Sequence, residues 1–364
     1  MKKMHPPTQK YSATHFLRRK CYIDNMLYIH QFPDWTRFRF DSKAIINELG
    51  QVRLEEGRLL GISEMLDDDT LEAETIVRDI VATYAIDGQQ LNSELVQEQV
   101  NKKEKADNAA FRSLIGAIRN FRDNIDEARI LGWHATLAGK PQRQYRSGPA
   151  QVLSRTDNSV VFAGPGPERL PHEMGNFIKW LNTAQLDSVL KAAIAQFWFL
   201  TIRPFDEANG KIARAITNLL LARAESSGHL RYSLNEQILN DIDNYFKILS
   251  ATQSGNGDLT EWILWFLKTL RNAIRKGRTA IKPYAEAVRF KGKKGAEGIQ
   301  PRAQKIIDAV IAGKIPQPFK VTDVAKFTGT SHDSALRDIQ KLIAQKLVAP
   351  SKKGGRSTSY SLIL

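Results

Sequence analysis

Cysteine is nearly absent from this sequence of 364 residues, whose single thiol is Cys21. One cysteine excludes an intrachain disulfide and a thiolate metal site, because both need more than one thiol. Chains without disulfides are typical of reducing compartments. The sequence therefore predicts a cytoplasmic protein.

Long hydrophobic runs are also missing. The most apolar stretch, 189–202, contains Lys191 and Gln196 and is shorter than the roughly 20 residues of a membrane-spanning helix. The basic residues near the start are not followed by an apolar segment of the kind found in secretory signals. We expect no membrane partner. Internal repeats and low-complexity tracts are absent as well.

Acidic residues are scarce relative to basic residues only in the C-terminal part of the chain. The sequence contains 53 Lys and Arg against 39 Asp and Glu, and the whole net charge of +14 falls on residues 271–364. A basic segment that follows a neutral one indicates a polyanion partner. A solvated basic surface that favours solubility remains an alternative on charge alone.

Helical periodicity dominates what is present and predicts a mainly α fold. One helix is predicted over 41–65, capped by Asp41 or Ser42, with Ile46 among its inward apolar residues. A second helix is predicted over 70–86.

A buried helix followed by a charged turn is the most informative feature of the sequence. Residues 189–200 are apolar on nearly all sides, which predicts a buried helix that Pro204 ends. Asn209 and Gly210 then form a turn whose backbone can approach a ligand closely. The second helix begins at Lys211, and its free amides and dipole predict a phosphate site.

Three charged side chains accompany this turn. Lys211 and Arg214 are three residues apart, so they project from one helix face. Glu207 lies on the preceding loop, where a carboxylate can hold a divalent cation that bridges phosphates. From the residues alone, a plain corner between two helices with surface charges remains an alternative.

The segment from Arg203 to Arg214 resembles the Fic signature, His-Pro-Phe-x-Asp/Glu-Gly-Asn-Gly-Arg-x-x-Arg. Members of this family usually transfer the AMP of ATP to a protein hydroxyl. The segments 28–60, 133–134, 145–146 and 335–360 also resemble one Fic subgroup. The resemblance implies a helical Fic (Fido) core with a β-hairpin flap. The flap is expected around 160–171, at the end of a longer stretch, 142–171, that is rich in Gly, Pro, Ser and Arg. The expected organisation is a flexible basic tail at 1–20, an N-terminal helical domain at 21–105, the Fic core at 106–270, a basic linker at 271–300 and a winged helix-turn-helix domain at 301–364.

The resemblance also assigns roles by position, with ATP or another nucleotide and Mg²⁺ as implied ligands and a protein as implied target. The assigned positions are Pro204 and Phe205 as loop anchors, Glu207 as the magnesium-binding acid, Asn209 and Gly210 as the anion hole, and Lys211 and Arg214 as the phosphate-binding pair.

Three positions depart from the signature. Arg203 stands where the family has the histidine that takes the proton from the attacking hydroxyl, and a guanidinium cannot serve as a base near neutral pH. Lys211 replaces a bidentate arginine with a point charge. Ala208 adds a methyl group where glycine is usual. Adenylyltransferase activity is therefore expected to be lost.

The segment 83–88 resembles the inhibitory helix of some Fic proteins, Ser/Thr-x-x-x-Glu-Gly, with Asp87 in place of glutamate. The resemblance implies that Asp87 pairs with Arg214 and regulates nucleotide binding. A helix that ends at Gly88 beside an exposed aspartate is the alternative.

The basic C-terminal segment predicts a winged helix. Helices are predicted over 301–311 and 321–327, and Ser331 caps a third helix whose polar face carries a compact set of hydrogen-bond donors. A basic hairpin follows that helix. The predicted DNA-binding residues are Ser334, Arg337 and Lys341 for the major groove and Lys352, Lys353 and Arg356 for the backbone.

The sequence thus predicts a DNA-binding transcriptional regulator built on a catalytically degenerate Fic core that still binds nucleotide. Double-stranded DNA is the expected partner, no cofactor is expected for DNA binding, and a homodimer is expected because one winged helix reads few bases. The alternatives are an active Fic transferase that moves AMP, or another phosphate-containing group, onto a protein hydroxyl, and a docking role without DNA or chemistry.

Overall fold

The computed structural model describes residues 28–64, 66, 69–102, 107–140, 144–153, 159–291, 299–351 and 358–363. Helices dominate this part of the chain, which confirms the predicted mainly α fold. The first group comprises α1 (Ser42–Ser63), α2 (Asp69–Ile86), α3 (Ser93–Asn101), α4 (Ala109–Arg119) and α5 (Glu127–Leu137). The second group comprises β1 (Gln151–Leu153), β2 (Val160–Ala163), α6 (Leu170–Thr183), α7 (Ser188–Ile202), α8 (Asn209–Glu225), α9 (Leu234–Asn240), α10 (Ile242–Gln253) and α11 (Thr260–Lys291). The last group comprises α12 (Pro301–Ile311), α13 (Val321–Thr328), α14 (His332–Ala344), β3 (Val348–Pro350) and β4 (Tyr360–Leu362).

The two N-terminal helices start and end close to where the sequence predicts. Asp41 caps α1, because its carboxylate accepts hydrogen bonds from the backbone amides of Lys43 and Ala44. Gly88 follows α2 with φ +79°, a backbone conformation that favours glycine. Ile46 was expected to face inward, and this expectation is wrong, since 65% of its surface is exposed.

A buried pair of helices forms the centre of the core. Every residue from Ala192 to Ile202 of α7 is buried, and so is every residue from Lys211 to Ala222 of α8. The two helices pack along each other, and α11 closes α7 from another side, where Nε1 of Trp262 donates to the carbonyl of Ala193 at 2.8 Å. The loop between α7 and α8 therefore has both of its ends fixed.

An antiparallel hairpin, β1–β2, lies in the stretch 142–171, and its second strand begins where the flap is predicted. Val152 pairs with Phe162 in its register. Phe162 is buried, and its ring packs edge-on against Tyr28 with the centroids 5.0 Å apart. Nε2 of His30 lies 2.7 Å from the carbonyl oxygen of Ala163. The N-terminal segment therefore holds the hairpin.

Helix α11 extends further than the sequence predicts. Residues 271–291, which were expected to form a basic linker, continue this helix. Nε of Arg271 lies 3.1 Å from the carboxylate of Glu48 on α1, and Ala273 and Ile274 are buried against the core. These contacts correct the linker prediction, because a linker would not bury apolar side chains. None of the helices in the described part of the chain combines the length and apolar character that crossing a bilayer requires.

A buried carboxylate lies at the end of α8. Oε1 of Glu225 is inaccessible to solvent. Burial raises the pKa of Glu225 to about 8, and the nearby carboxylate of Glu56 acts in the same direction. The side chain is therefore protonated over much of the range in which most glutamates are charged.

The C-terminal helices have a hydrophobic core of their own. The buried side chains of α12, α13, α14, β3 and β4 form one cluster, separate from the larger cluster around α7. Gly329 turns the chain between α13 and α14 with φ +65°, and Ser331 caps α14 as predicted by accepting from the amide of Ser334 at 3.3 Å. Strands β3 and β4 pair antiparallel, with Ala349 opposite Ser361.

Candidate functional site

Two residues with left-handed backbone conformations frame the loop between α7 and α8. Arg203 ends α7 with φ +46° and ψ +64°, and its amide donates to the carbonyl of Phe199. Ala208 precedes α8 with φ +61°. Residues other than glycine adopt this conformation at a cost of about 1–2 kcal/mol, so the packed helices on either side hold the loop in a strained shape.

Asn209 and Phe205 close this loop from within. Nδ2 of Asn209 donates to the carbonyl of Phe205 at 2.6 Å, and Oδ1 of Asn209 accepts from the amide of Phe205 at 3.1 Å. The ring of Phe205 is buried and stacks on the ring of His134 with the centroids 4.0 Å apart. The side-chain amide of Asn209 therefore shapes the loop, and Phe205 fixes it to the core.

Arg146 joins the end of α7 to the flap. It is 2% exposed, and its guanidinium donates to the backbone carbonyls of Arg203 at 2.7 Å, Gly148 at 2.6 Å and Pro165 at 2.5 Å. The last carbonyls of a helix lack partners within the helix. Arg146 supplies the missing donors and so fixes the backbone on which Arg203 is placed.

A cavity of about 840 Å³ opens between this loop, the flap hairpin, the end of α2 and α10. Cavities of this size accommodate cofactor-sized ligands. Its apolar lining includes Val152, Leu153, Phe162, Phe246 and Leu249. Its charged lining includes Asp87, Arg203, Glu207, Lys211, Arg214, Asp243 and Lys247. The cavity thus offers one apolar wall and one predominantly charged wall.

Asp87, Lys211 and Arg214, which the sequence assigns to the site, lie together. Nζ of Lys211 is 3.0 Å from Oδ2 of Asp87, and Nη2 of Arg214 is 2.9 Å from Oδ1. Burial tends to raise the pKa of Asp87, but the two cations together hold it below its ordinary value. A Cβ at Gly210 would lie 3.0 Å from both Arg214 and Asp87. Glycine at this position therefore allows the close approach of these charges.

Asp79 belongs to the same interface between α2 and α8, although sequence reasoning missed it. Thr83 accepts from Nε of Arg214 at 2.6 Å and from Nη2 through its backbone carbonyl at 2.8 Å. Asp79, Thr83 and Asp87 are four residues apart, so they occupy one face of α2. The donors to the carboxylate of Asp79 are Asn218, Ser233 and Asn235, at 2.7–2.8 Å. Burial nevertheless raises the pKa of Asp79. The four-residue spacing was the available signal.

Arg203 contributes the third cation near the start of α8. Its side chain lines the cavity, and its Nε is buried with no hydrogen-bond partner among the described residues. Burial lowers the pKa of Arg203, whereas Tyr245 and Asp87 raise it. Burial also raises the pKa of Tyr245 to about 12, so this phenol is neutral near pH 7. Within the described residues Arg203 has no salt bridge to a carboxylate.

Glu207, the position assigned to the metal-binding acid, faces a lysine. Oε1 of Glu207 lies 2.5 Å from Nζ of Lys140, and both side chains are substantially exposed. No cluster of three potential metal ligands occurs in the described part of the chain. No described histidine lines the cavity, and His172 is exposed on α6 beside Asn176.

The predicted DNA-binding side chains that the structure describes lie on α14. Arg337 and Lys341 are exposed and Ser334 is half-buried. Beside this face, Asp338 is buried and accepts two hydrogen bonds from the guanidinium of Arg302, at 2.6 and 2.8 Å. This pair fixes the rotation of α14 and leaves its basic face towards solvent. The other predicted DNA contacts, Lys352, Lys353 and Arg356, lie outside the described residues.

A helical core that directs a helix start and several cations into a nucleotide-sized cavity is the architecture of a phosphate-binding domain. Comparison with known proteins identifies that domain. Residues 124–221 match the Fic/DOC family, so the chain contains a Fic/DOC domain. Residues 28–103 match a family described as a domain of unknown function, DUF4172.

Solved structures show that other proteins share this fold. A Fic family protein from Desulfovibrio desulfuricans superposes with a TM-score of 0.56 and 20% identity over 88% of this chain and 96% of that one. A Fic domain containing signaling protein from Bacteroides thetaiotaomicron gives a TM-score of 0.51 and 18% identity over 66% of this chain and 98% of that one.

A protein adenylyltransferase from Caenorhabditis elegans is 32% identical over 124 residues, which are 32% of this chain and 23% of the relative.

Proposed function

We propose that this chain is a cytoplasmic, DNA-binding transcriptional regulator whose Fic domain binds a nucleotide without efficient transfer chemistry. The observation that carries the proposal is the basic face of α14, where Arg337 and Lys341 are exposed on a helix whose other side is packed into the core of the C-terminal unit. The +14 net charge of the chain falls entirely on the segment that contains this helix. A localised basic surface on a compact helical unit favours nucleic acid.

The arrangement of the C-terminal unit supports a winged helix-turn-helix. Helix α13, the turn at Gly329 and helix α14 follow the order of a helix-turn-helix, and β3–β4 follows in the position of a wing. In such units the second helix enters the major groove. We assign Ser334, Arg337 and Lys341 to the groove, and Lys352, Lys353 and Arg356 to the phosphate backbone.

The cavity supports nucleotide binding. The start of α8 supplies backbone amides and a positive dipole end, and Lys211 and Arg214 add two buried cations beside it. The apolar wall formed by the flap and α10 suits a planar base. Relatives named as protein adenylyltransferases are consistent with ATP as the nucleotide.

The arginine at position 203 supports the proposed loss of efficient group transfer by the Fic domain. A general base must accept a proton near neutral pH, and a guanidinium retains its protons even where burial lowers its pKa. No described histidine lines the cavity to replace it. Losing a positioned base typically slows a reaction about 10²- to 10⁴-fold.

The DNA-binding proposal is tested by a truncation series. Fluorescence anisotropy on genomic fragments at physiological salt should show binding by full-length protein and by residues 299–364, and none by residues 1–291. Binding should weaken steeply with added salt, because phosphate contacts dominate affinity. Equal binding by full-length protein and residues 1–291 would remove DNA from the proposal. Sedimentation of the full-length protein tests the expected homodimer.

An active Fic transferase is the second candidate, and one observation favours it. Asp243 on α10 is an exposed carboxylate that lines the same cavity and can accept a proton. If it replaces the missing base, the wild-type protein should label proteins from radioactive ATP, and Asp243→Asn should abolish the label. Under the leading proposal the wild type gives no label above background, and Arg203→His is the variant that gains it.

A further inference from the structure

The site contains a cation that no carboxylate in the described structure pairs with. Asp87 accepts from both Lys211 and Arg214, so one negative charge is shared by two positive ones. Arg203 lies near enough to Asp87 for that carboxylate to raise its pKa, yet no hydrogen bond joins the two. Arg203 lines the cavity and forms no salt bridge within the described residues, so its guanidinium keeps donors for a ligand while Asp87 is held by its two partners.

The hydrogen bonds of the fold do not explain the position of the Arg203 side chain. The backbone carbonyl of Arg203 accepts from Arg146, but its own Nε is buried without a partner among the described residues. A buried charged donor without a partner is costly, by more than an ordinary hydrogen bond. Because Nε is inaccessible, a ligand in the cavity would meet the terminal nitrogens of Arg203, which make no hydrogen bond among the described residues. These nitrogens are the donors available to a ligand.

Glu207, which the Fic family implies as the magnesium ligand, is paired with a lysine in this structure. The Glu207 carboxylate faces Nζ of Lys140 at 2.5 Å, with side-chain exposures of 45% and 65%. An ion pair this exposed is weak and could exchange for another cation. Arg203 changes the site more than this ion pair does. With Arg203, Lys211 and Arg214 in the cavity lining, a metal ion beside the phosphates would have to share their negative charge with three protein cations.

We propose that Arg203 is a phosphate-chain ligand, and that it makes nucleotide polyphosphate binding in this Fic domain independent of a divalent metal. A guanidinium presents a rigid fork of donors that matches phosphate oxygens and remains charged at physiological pH. Together with Lys211 and Arg214 it supplies the positive charge that magnesium supplies elsewhere. This inference rests on the proposed nucleotide binding by the core.

The test is calorimetric titration of the full-length protein with ATP, once with EDTA and once with millimolar magnesium. The dissociation constants in the two buffers should agree within about threefold. Arg203→Gln should weaken binding in EDTA roughly 10- to 100-fold, as expected for a lost charged hydrogen bond. Arg203→Lys, which keeps the charge but loses the fork of donors, should bind ATP more tightly than Arg203→Gln and more weakly than wild type. Circular dichroism should verify that each variant is folded.

The outcomes separate this inference from the function on which it rests. Binding that needs magnesium, or that Arg203→Gln leaves unchanged, would overturn the role of Arg203 and leave nucleotide binding intact. Absence of heat in both buffers, repeated with Asp87→Asn, would overturn nucleotide binding itself. Lys140→Gln is the matched variant for the acidic position. In EDTA, this variant should bind ATP with a dissociation constant within about threefold of the wild-type value.

Discussion

Nη2 of Arg214 donates to Oδ1 of Asp87 at 2.9 Å across the interface between α8 and α2. The guanidinium is 2% exposed, so nearly all of its contacts are made inside the protein. A phosphate that binds at the start of α8 would have to share this guanidinium with Asp87 or displace it. Docking of α2 and tight binding of a phosphate chain are therefore expected to oppose each other.

Replacement of Asp87 by asparagine should increase the affinity for ATP about tenfold, because Lys211 and Arg214 lose the carboxylate that neutralises them. The same change should lower the free energy of unfolding by roughly 1–3 kcal/mol, since two buried cations lose their charged partner. Calorimetry and denaturant melts measure the two effects. Asp243→Asn, which removes another carboxylate from the cavity lining, is the control. It should change neither the affinity for ATP nor the free energy of unfolding. An unchanged affinity in Asp87→Asn would contradict competition between Asp87 and phosphate.

Ala208→Gly should stabilise the protein by about 1 kcal/mol, because glycine adopts the left-handed conformation at φ +61° without the penalty that alanine carries. Ala224→Gly, near the end of α8, is the matched control. It should lower the free energy of unfolding by about 0.5–1 kcal/mol, as glycine does inside helices. Urea titration distinguishes the two signs, and a loss of stability in both variants would argue against strain at Ala208.

The buried carboxylate of Glu225 predicts a pH dependence of stability. Its pKa is about 8 in the folded protein and close to 4.5 when unfolded, so the protonated form favours folding. This contribution is fully present below pH 4.5 and is lost as the pH rises through about 8. The slope over this interval is at most about 1.4 kcal/mol per pH unit. Glu225→Gln should flatten the curve and be more stable relative to wild type at pH 8 than at pH 5. The exposed Glu261→Gln should keep the wild-type slope.

Under the proposed DNA binding, Arg337 and the three basic residues assigned to the phosphate backbone should affect binding in different ways. Arg337→Ala should reduce discrimination at one base pair by roughly 1–3 kcal/mol, as expected for a groove contact. Charge reversal of Lys352, Lys353 and Arg356 to glutamate should weaken binding on every sequence and reduce its salt dependence. Lys305→Glu, at an exposed lysine of α12, is the control for lost positive charge. Equal effects of all these variants on specific and random duplexes would indicate binding by charge alone.

Local patterns in the sequence predict the helices and the loop of the site well. The apolar run of α7, the Asp41 cap, the turn at Gly329 and the cap at Ser331 all depend on neighbours within a few residues. Asp87 and Arg214 meet across more than a hundred residues of chain, and their pairing could be inferred only from resemblance to a family.

Other features of the site depend on tertiary packing that no local pattern records. Lys140 faces Glu207 because the end of α5 approaches the loop after α7. Asp79 gains three donors from two other parts of the chain. The extension of α11 beyond residue 270 was missed because its basic composition suggested a linker, whereas its buried Ala273 and Ile274 lie against the core.

The continuation of α11 to Lys291 shortens the distance over which the C-terminal unit can separate from the core. The next described residue is Ile299, and the chain between them spans at most roughly 29 Å when fully extended. Two units tethered this closely experience each other at an effective concentration in the millimolar range. A contact between the core and the basic unit with a dissociation constant below about a millimolar would therefore form at any protein concentration.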